Sequence, residues 1–216
     1  MNTLHALCTL ALAPAAMGGS PPTPVDKNPA PSPADPCAGL ISYSHVELLY
    51  QYTDFNGGEL DDGSGATLRF EYEVMKPVYV TADVDYLSYD YGRGFDGEQW
   101  RISLGAGGHI SLTGNIDLAG DAGFVYSNES SDPIGATIAR RDEDGSGWFM
   151  RPHFRAKWGC FTVHAGASLY DVDSHNDGWS GYGRLYYQIT PSLDLTAGAS
   201  FGDEADVFSG GVRWRF

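Results

Sequence analysis

The sequence predicts an all-β chain: a single antiparallel transmembrane β-barrel of about ten strands, preceded by a disordered leader and linker. Three observations predict it. The chain closes on Val212-Arg213-Trp214-Arg215-Phe216, with an aromatic at the last position, another two residues earlier and charges between them. That is the form of a final barrel strand with one face to lipid and the other to the lumen. Ten segments repeat such an apolar–polar alternation. The connectors between them alternate short and long, as they do when both ends of a barrel lie in the periplasm. Eight strands, with one hairpin outside the membrane, is the alternative count.

Composition agrees. No run of 18 apolar residues occurs in a chain that is 42% hydrophobic, which excludes a helical membrane bundle. A barrel is not excluded, because alternation halves its average hydropathy. The 28 glycines and 13% aromatics suit crowded inner walls and interfacial girdles. A net charge of −15 argues against nucleic acid as a partner.

Residues 1–18 read as a signal peptide, with an apolar core at Leu4–Leu12 and small residues at Ala13-Pro14-Ala15 or Ala16-Met17-Gly18 before cleavage, although no basic residue precedes the core. Cys8 lies inside the apolar run behind bulky Leu7, which argues against lipidation. Residues 19–40 form a periplasmic linker; Ser20–Pro36 alone holds seven prolines. Residues 41–216 then form the barrel.

The strands follow in order. Ser42–Thr53 turns Val46, Leu48, Tyr50 and Tyr52 to one face. Ala66–Met75 does so with Leu68, Phe70, Tyr72 and Val74, and Val78–Tyr89 with Val80, Val84 and Tyr86. Gln99–Ile110 offers Trp100, Ile102 and Leu104; Ile116–Tyr126 offers Leu118, Phe124 and Tyr126. Trp148–Trp158 carries Met150 and Phe154, and Pro152 within it predicts a bulge or bend. Phe161–Leu169, Tyr182–Ile189, Leu193–Phe201 and Val207–Phe216 complete the set. Short connectors fall at Lys76-Pro77, Thr113-Gly114-Asn115, Gly159-Cys160 and Thr190-Pro191-Ser192. The long ones are Asp54–Gly65, Asp90–Glu98, Ser127–Gly147, Tyr170–Gly181 and Gly202–Asp206.

The opposite face of these strands is charged. It carries Glu47, Glu71, Glu73, Asp83, Asp85, Asp117, Asp121 and Asp194 against Arg69, Arg101, Arg151, Arg155, Lys157, Arg184, Arg213 and Arg215. The two sets balance, so the net charge belongs to the tail, loops and turns. The candidate site is the lumen network of Glu47, Arg69, Glu71, Asp83, Asp85, Arg101, Arg151, Arg155, Arg184, Arg213 and Arg215. A tight turn sets Arg69 opposite Asp83, and closure of the ring brings Arg213 and Arg215 near Glu47. One reading is a narrow ion path with a transverse field. The favoured reading is a salt-bridged plug, because a ten-stranded barrel has little spare lumen and buried charges must be paired.

The chain resembles the small outer-membrane β-barrels of Gram-negative bacteria, and is similar to a barrel family of xanthomonads, through Gln99-Trp-Arg-Ile-Ser-Leu-Gly, His109-Ile-Ser-Leu-Thr-Gly-Asn-Ile-Asp-Leu and Ile189-Thr-Pro-Ser-Leu-Asp-Leu followed by the closing strand. The resemblance runs from about residue 42 to the end and implies fold and outer-membrane location, with outer-membrane lipid as partner, but no activity. Trp214 and Phe216 read as the signal taken up by the barrel-assembly machinery.

No enzyme and no cofactor are expected. Asp83 and Asp85 point inward together, and paired carboxylates can activate water, but the strands read as too short to raise a cleft above the membrane, and His175 is the nearest histidine partner. His164 and Ser168, four apart on a strand, are separated by about 13 Å. His45 and His153 face inward, and His109 faces Asp117 across a turn, each as a wall residue rather than a metal ligand. The outer loops are acidic, among them Asp54, Glu59, Asp61, Asp62, Glu129, Asp132, Asp142, Glu143, Asp144, Asp171, Asp173, Asp177, Asp203, Glu204 and Asp206. Weak Ca²⁺ or Mg²⁺ binding there is the sharper reading; solvated loops that resist aggregation is the preferred one. A monomer is expected. Cys37 and Cys160 both fall on the periplasmic side, where a disulfide is one reading and two separate thiols the preferred one.

Overall fold

The computed structural model describes residues 37, 41–56, 60–91, 95–131, 141–173, 178–203 and 205–216. The leader, and the linker apart from Cys37, lie outside them. Ten antiparallel strands stand in chain order around a closed barrel: β1 (His45–Phe55), β2 (Leu60–Met75), β3 (Val78–Tyr91), β4 (Phe95–Thr113), β5 (Ile116–Ser131), β6 (Arg141–Trp158), β7 (Phe161–Val172), β8 (Gly178–Thr190), β9 (Leu193–Gly202) and β10 (Ala205–Arg215). The ring closes where β10 pairs β1 in one unbroken register from His45↔Arg215 to Phe55↔Ala205. The count is ten, not eight.

The alternation in each strand sorts side chains by face. Leu48, Leu104, Phe124, Phe154 and Leu195 point outward and are exposed, while Glu47, Asp83 and Arg155 point inward and are buried. Apolar outside and charged inside is the inverse of a water-soluble sandwich. A closed ladder, which leaves the sheet no open edge, is one of the two structures that can sit in hydrocarbon. No helix among the described residues is long and apolar enough to cross a membrane; the strands do the crossing. The protein is a transmembrane barrel of the outer-membrane type.

Two belts of outward aromatics mark the hydrocarbon limits. Trp100, Tyr126, Trp148 and Trp179 stand toward the loop end; Tyr72, Trp158, Phe161, Trp214 and Phe216 stand toward the turn end. Phe216 packs its ring on Phe70 and Tyr72, 6.2 and 6.4 Å away between centroids. Ten residues separate Trp148 from Trp158 on β6. At a rise of about 3.4 Å and a tilt of about 40°, that spans about 26 Å, the height of an outer-membrane apolar band.

The four turns on this side are two residues each: Lys76-Pro77, Gly114-Asn115, Gly159-Cys160 and Pro191-Ser192. Gly159 takes φ of 55°, which a residue with a Cβ adopts at a cost. Bulges between Glu73 and Met75, Ser111 and Thr113, and Gln188 and Thr190 adjoin three of these turns.

The loop ends depart from the sequence reading. β4 and β6 run to 19 and 18 residues, and β2 and β5 to 16 each. Asp62, Glu129, Glu143 and Asp144, expected in loops, lie on strands, with Glu129 opposite Glu143 and Asn128 opposite Asp144. Above the membrane both faces of a strand meet water, so segments such as Ser127-Asn128-Glu129-Ser130 lose the alternation that reveals a strand. Pro152 makes no bulge: β6 keeps one register with β7 on both sides of it, and pairing with β5 runs through Gly120↔Pro152.

Candidate functional site

The lumen is filled in layers. At the periplasmic end the segment before β1 folds in beneath the barrel. Tyr43 is buried there with Tyr79, Ala119 and Ile41. Its ring stacks on His109 at 4.0 Å and lies under the Arg155 guanidinium at 4.2 Å, and its hydroxyl donates to Asp117 Oδ2 at 3.0 Å. His109 in turn lies 3.8 Å from Asp117. Cys37 and Cys160 are joined, with Cα atoms 4.7 Å apart, which corrects the reading of two separate thiols. The bond ties the chain ahead of β1, a strap, to the β6–β7 turn.

The waist is a chain of ion pairs. Arg69 Nε donates to Asp83 Oδ1 at 2.5 Å, from the position directly opposite that the tight β2–β3 turn dictates. Arg151 reaches across the lumen from β6 to Asp83 at 2.5 Å and also takes Asp121 at 2.7 Å. Arg155 grips both oxygens of Glu71 at 2.8 and 3.1 Å and donates to His153 Nε2 at 2.9 Å. Arg101 pairs with Asp85 at 3.2 Å, while Thr67 donates to the other oxygen at 2.6 Å. Asp83 and Asp85 are thus each taken by arginine.

Arg213 and Arg215 do not engage Glu47. They converge on Asp194, Arg213 at 2.6 Å and Arg215 at 3.0 Å. Asp194 lies directly across from Arg213 on β9, and the Arg213 guanidinium is pressed on the Tyr186 ring at 3.6 Å, which draws it away from β1. Glu47, though also opposite Arg213, has Arg184 at 3.6 Å and Arg69 at 3.9 Å instead. Neither of its oxygens makes a hydrogen bond, and its side chain is fully buried.

Toward the loop end the lumen divides. Beside β5, β6 and β7 it is filled by Val125, Phe149 and Val172. A Cβ at Gly105 would lie 2.7 Å from the Phe149 ring, so only glycine leaves room for it. At this end β8, β9 and β10 turn small residues such as Ser180, Ser200 and Ser209 inward, and a cavity of about 310 Å³ remains, lined by residues of all ten strands. It descends past Ser180, Ser200 and Tyr182 to Arg155 and Glu71. Among the described residues no three His, Cys, Asp or Glu side chains gather as a metal site requires.

Sequence reasoning missed Tyr43, Tyr79 and Tyr186 as lumen residues. Parity carried the signal: Tyr43 shares it with His45 and Glu47, Tyr79 with Asp83, and Tyr186 with Arg184. Aromatics in a barrel suggest the lipid face, and that expectation hid them. Also overturned is the premise that the strands are too short to rise above the membrane; β6 extends seven residues, about 18 Å, beyond Trp148.

No protein-family model matches the chain, and no curated protein does. Solved structures of similar shape are outer-membrane barrels. The NanC porin aligns at 8% identity over 79% of this chain and 100% of that one, with a TM-score of 0.48. The translocator domain of the autotransporter NalP from Neisseria meningitidis aligns at 11% over 80% and 87%, also at 0.48. The N-terminal barrel domain of OprF from Pseudomonas aeruginosa aligns at 14% over 80% and 98%, at 0.40. The fold assignment rests on the strand pairing itself.

Proposed function

We propose that this is a monomeric, non-enzymatic barrel of the bacterial outer membrane, closed to ions, that acts at the cell surface through its outer end in adhesion or envelope integrity. The observation that carries this reading is the waist. Glu47, Asp83, Arg155 and Tyr186 are all at most 2% exposed, and Arg151 bridges the lumen from β6 to Asp83 on β3. Buried ion pairs of this kind are strongly destabilised by removal of one partner, so the layer is a poor candidate for a gate. Tyr43 and the Cys37–Cys160 bond add a second closure below it. Acidic residues at the outer end, Asp54, Asp62, Asp144 and Asp203 among them, would attract divalent cations weakly and bridge them to phosphorylated surface lipid. Trp214 and Phe216 would serve recognition by the assembly machinery, and the motifs shared with the xanthomonad barrels would reflect kinship.

The second reading, a narrow channel for ions or small solutes, is favoured by the cavity, which reaches as deep as Glu71. Conductance of the refolded protein in a planar bilayer separates the two. The plug predicts a silent bilayer with folded protein inserted. Stable, ion-selective steps would replace it with the channel.

A further inference from the structure

The seat of the strap hangs on one imidazole. His153 is buried on β6, and both of its ring nitrogens are committed. Nδ1 lies 3.0 Å from the carbonyl oxygen of Arg151, which can only accept, so Nδ1 carries the proton. Nε2 lies 2.9 Å from Arg155 Nε, which can only donate, so Nε2 is the bare acceptor. The two bonds together require one neutral tautomer.

Arg155 links this ring to the strap. Its Nε is held by His153 and its Nη2 by both oxygens of Glu71. Held so, the guanidinium lies over the Tyr43 ring at 4.2 Å and the Tyr79 ring at 5.5 Å. Tyr43 is the one buried residue among residues 41–44. Where Arg155 stands therefore decides how the strap is seated.

A proton on His153 Nε2 would set N–H against N–H and cation against cation, and the surroundings offer no spare counter-charge. Asp121 of β5 lies 4.0 Å from Nδ1 but is taken by Arg151. Glu71 of β2 is taken by Arg155, with His45 of β1 3.9 Å away. His164 of β7 and Tyr182 of β8 stand 6.2 and 6.4 Å from His153 between ring centroids. His164 rests in turn on Tyr186, which carries Arg213 of β10, itself paired with Asp194 of β9. Tyr79 of β3 and His109 of β4 adjoin Tyr43. His109 sits between Glu73 and Asp117, where an added proton would strengthen the seat rather than loosen it. A buried charge without a partner is not tolerated, so a charged His153 must give up Arg155.

We propose that His153 is an acid-released latch: a proton taken up at Nε2 displaces Arg155 and frees residues 41–44 of the strap from the periplasmic mouth. The Cys37–Cys160 bond keeps the freed strap tethered there. The ion pairs of Arg69 and Arg151 with Asp83 and Asp121 stay in place above it. The inference rests on the closed reading of the barrel, in which the strap is the lower closure. Hydrogen exchange of the Tyr43 and Ser44 amides, corrected for its intrinsic pH dependence, tests it on the refolded full chain in detergent at about pH 7.5 and about pH 4, on either side of the ordinary imidazole value of about 6.5. The expected result is a loss of protection of at least about tenfold in acid, restored on return to neutral pH. His153→Gln keeps an acceptor for Arg155 but takes no proton, and its protection should change by less than about twofold. Circular dichroism reports whether that variant folds. If it does not, nitrogen NMR of the histidine-labelled wild type takes its place: His153 should pass from one protonated ring nitrogen to two over the pH range in which the strap loosens. Protection unchanged in acid, protection lost equally in His153→Gln, loosening that does not follow the titration of the ring, or protection not regained at neutral pH would each overturn the latch. Bilayer recording at neutral pH keeps the two readings apart. Conductance there removes the plug and with it the closure that the latch releases. A silent bilayer with an acid-insensitive strap removes the latch and leaves the plug.

Discussion

The two sides of the barrel differ in height and in filling. β4, β5 and β6 run 19, 16 and 18 residues, whereas β8, β9 and β10 run 13, 10 and 11. A bilayer asks for about 9–11 residues per tilted strand. The low wall meets that demand and stops; the tall wall rises well past the outer aromatic belt. Their inner faces differ in the same sense. The tall wall and its neighbour β7 send Val125, Phe149, Val172 and Arg151 into the lumen, while the loop end of the low wall offers Ser180, Ser200 and Ser209, with Tyr182, Arg184 and Tyr186 below them. The cavity lies where these serines leave room, and residues of all ten strands line it. Membrane spanning fixes only a minimum length and an outer face, so height and inner volume are free for other uses.

The largest expected effect is on the tall wall. Arg151 holds Asp83, Asp121 and Thr81. Arg151→Ala takes the only arginine from buried Asp121 and leaves Asp83 with Arg69 alone, and should cost about 3–5 kcal/mol, read from urea unfolding of the barrel in lipid vesicles. An effect below about 1 kcal/mol would mean that water, not Arg151, satisfies those carboxylates. Next is Phe149→Ala, which empties the apolar fill under the Arg151 guanidinium, 4.5 Å from its ring. The expected cost is about 3 kcal/mol, accompanied by protease sensitivity of the strand tops while the membrane-embedded part stays protected. Uniform protection would show that the tall wall does not depend on this cluster.

A third test leaves the walls and loosens the base that both stand on. Cys37→Ser frees the strap, whose bond spans 123 residues of chain. Loss of about 2 kcal/mol or more is expected, from the wider freedom of the unfolded chain. Wild-type protein in which both thiols label without reductant would remove the bond from the account. The smallest effect belongs to the low wall. Arg215 is partly exposed and shares Asp194 with Arg213. Arg215→Gln should cost about 1 kcal/mol or less, because Arg213 still neutralises that carboxylate. A cost equal to that of Arg151→Ala would erase the contrast between the walls.

How much was legible follows from what each residue must face. Alternation within the membrane sorts side chains without reference to any partner: Leu48 and Leu104 must meet lipid, Glu47 and Arg155 must avoid it, and the two-residue turns then force Arg69 opposite Asp83. Above the membrane both faces meet water, and the outer ends of β4–β6, residues 95–98, 127–131 and 141–147, fall among the predicted loops for want of a pattern. The aromatic lumen residues were hidden by the opposite bias, since Tyr43, Tyr79 and Tyr186 carry the chemistry of a girdle at inward positions.

The sequence by itself therefore determined the all-β class, the ten strands, the turn side and the identity of the inner and outer faces, because these depend on period-two contacts with solvent or lipid. Only the tertiary structure decided which arginine holds which carboxylate. Glu47 lies opposite both Arg69 and Arg213, yet Arg213 turns to Asp194 because Tyr186 receives its guanidinium. It also decided the strap, the joined cysteines and the cavity. Each depends on side chains meeting across the ring, from strands far apart in the chain, and local alternation carries no record of distance across a closed barrel.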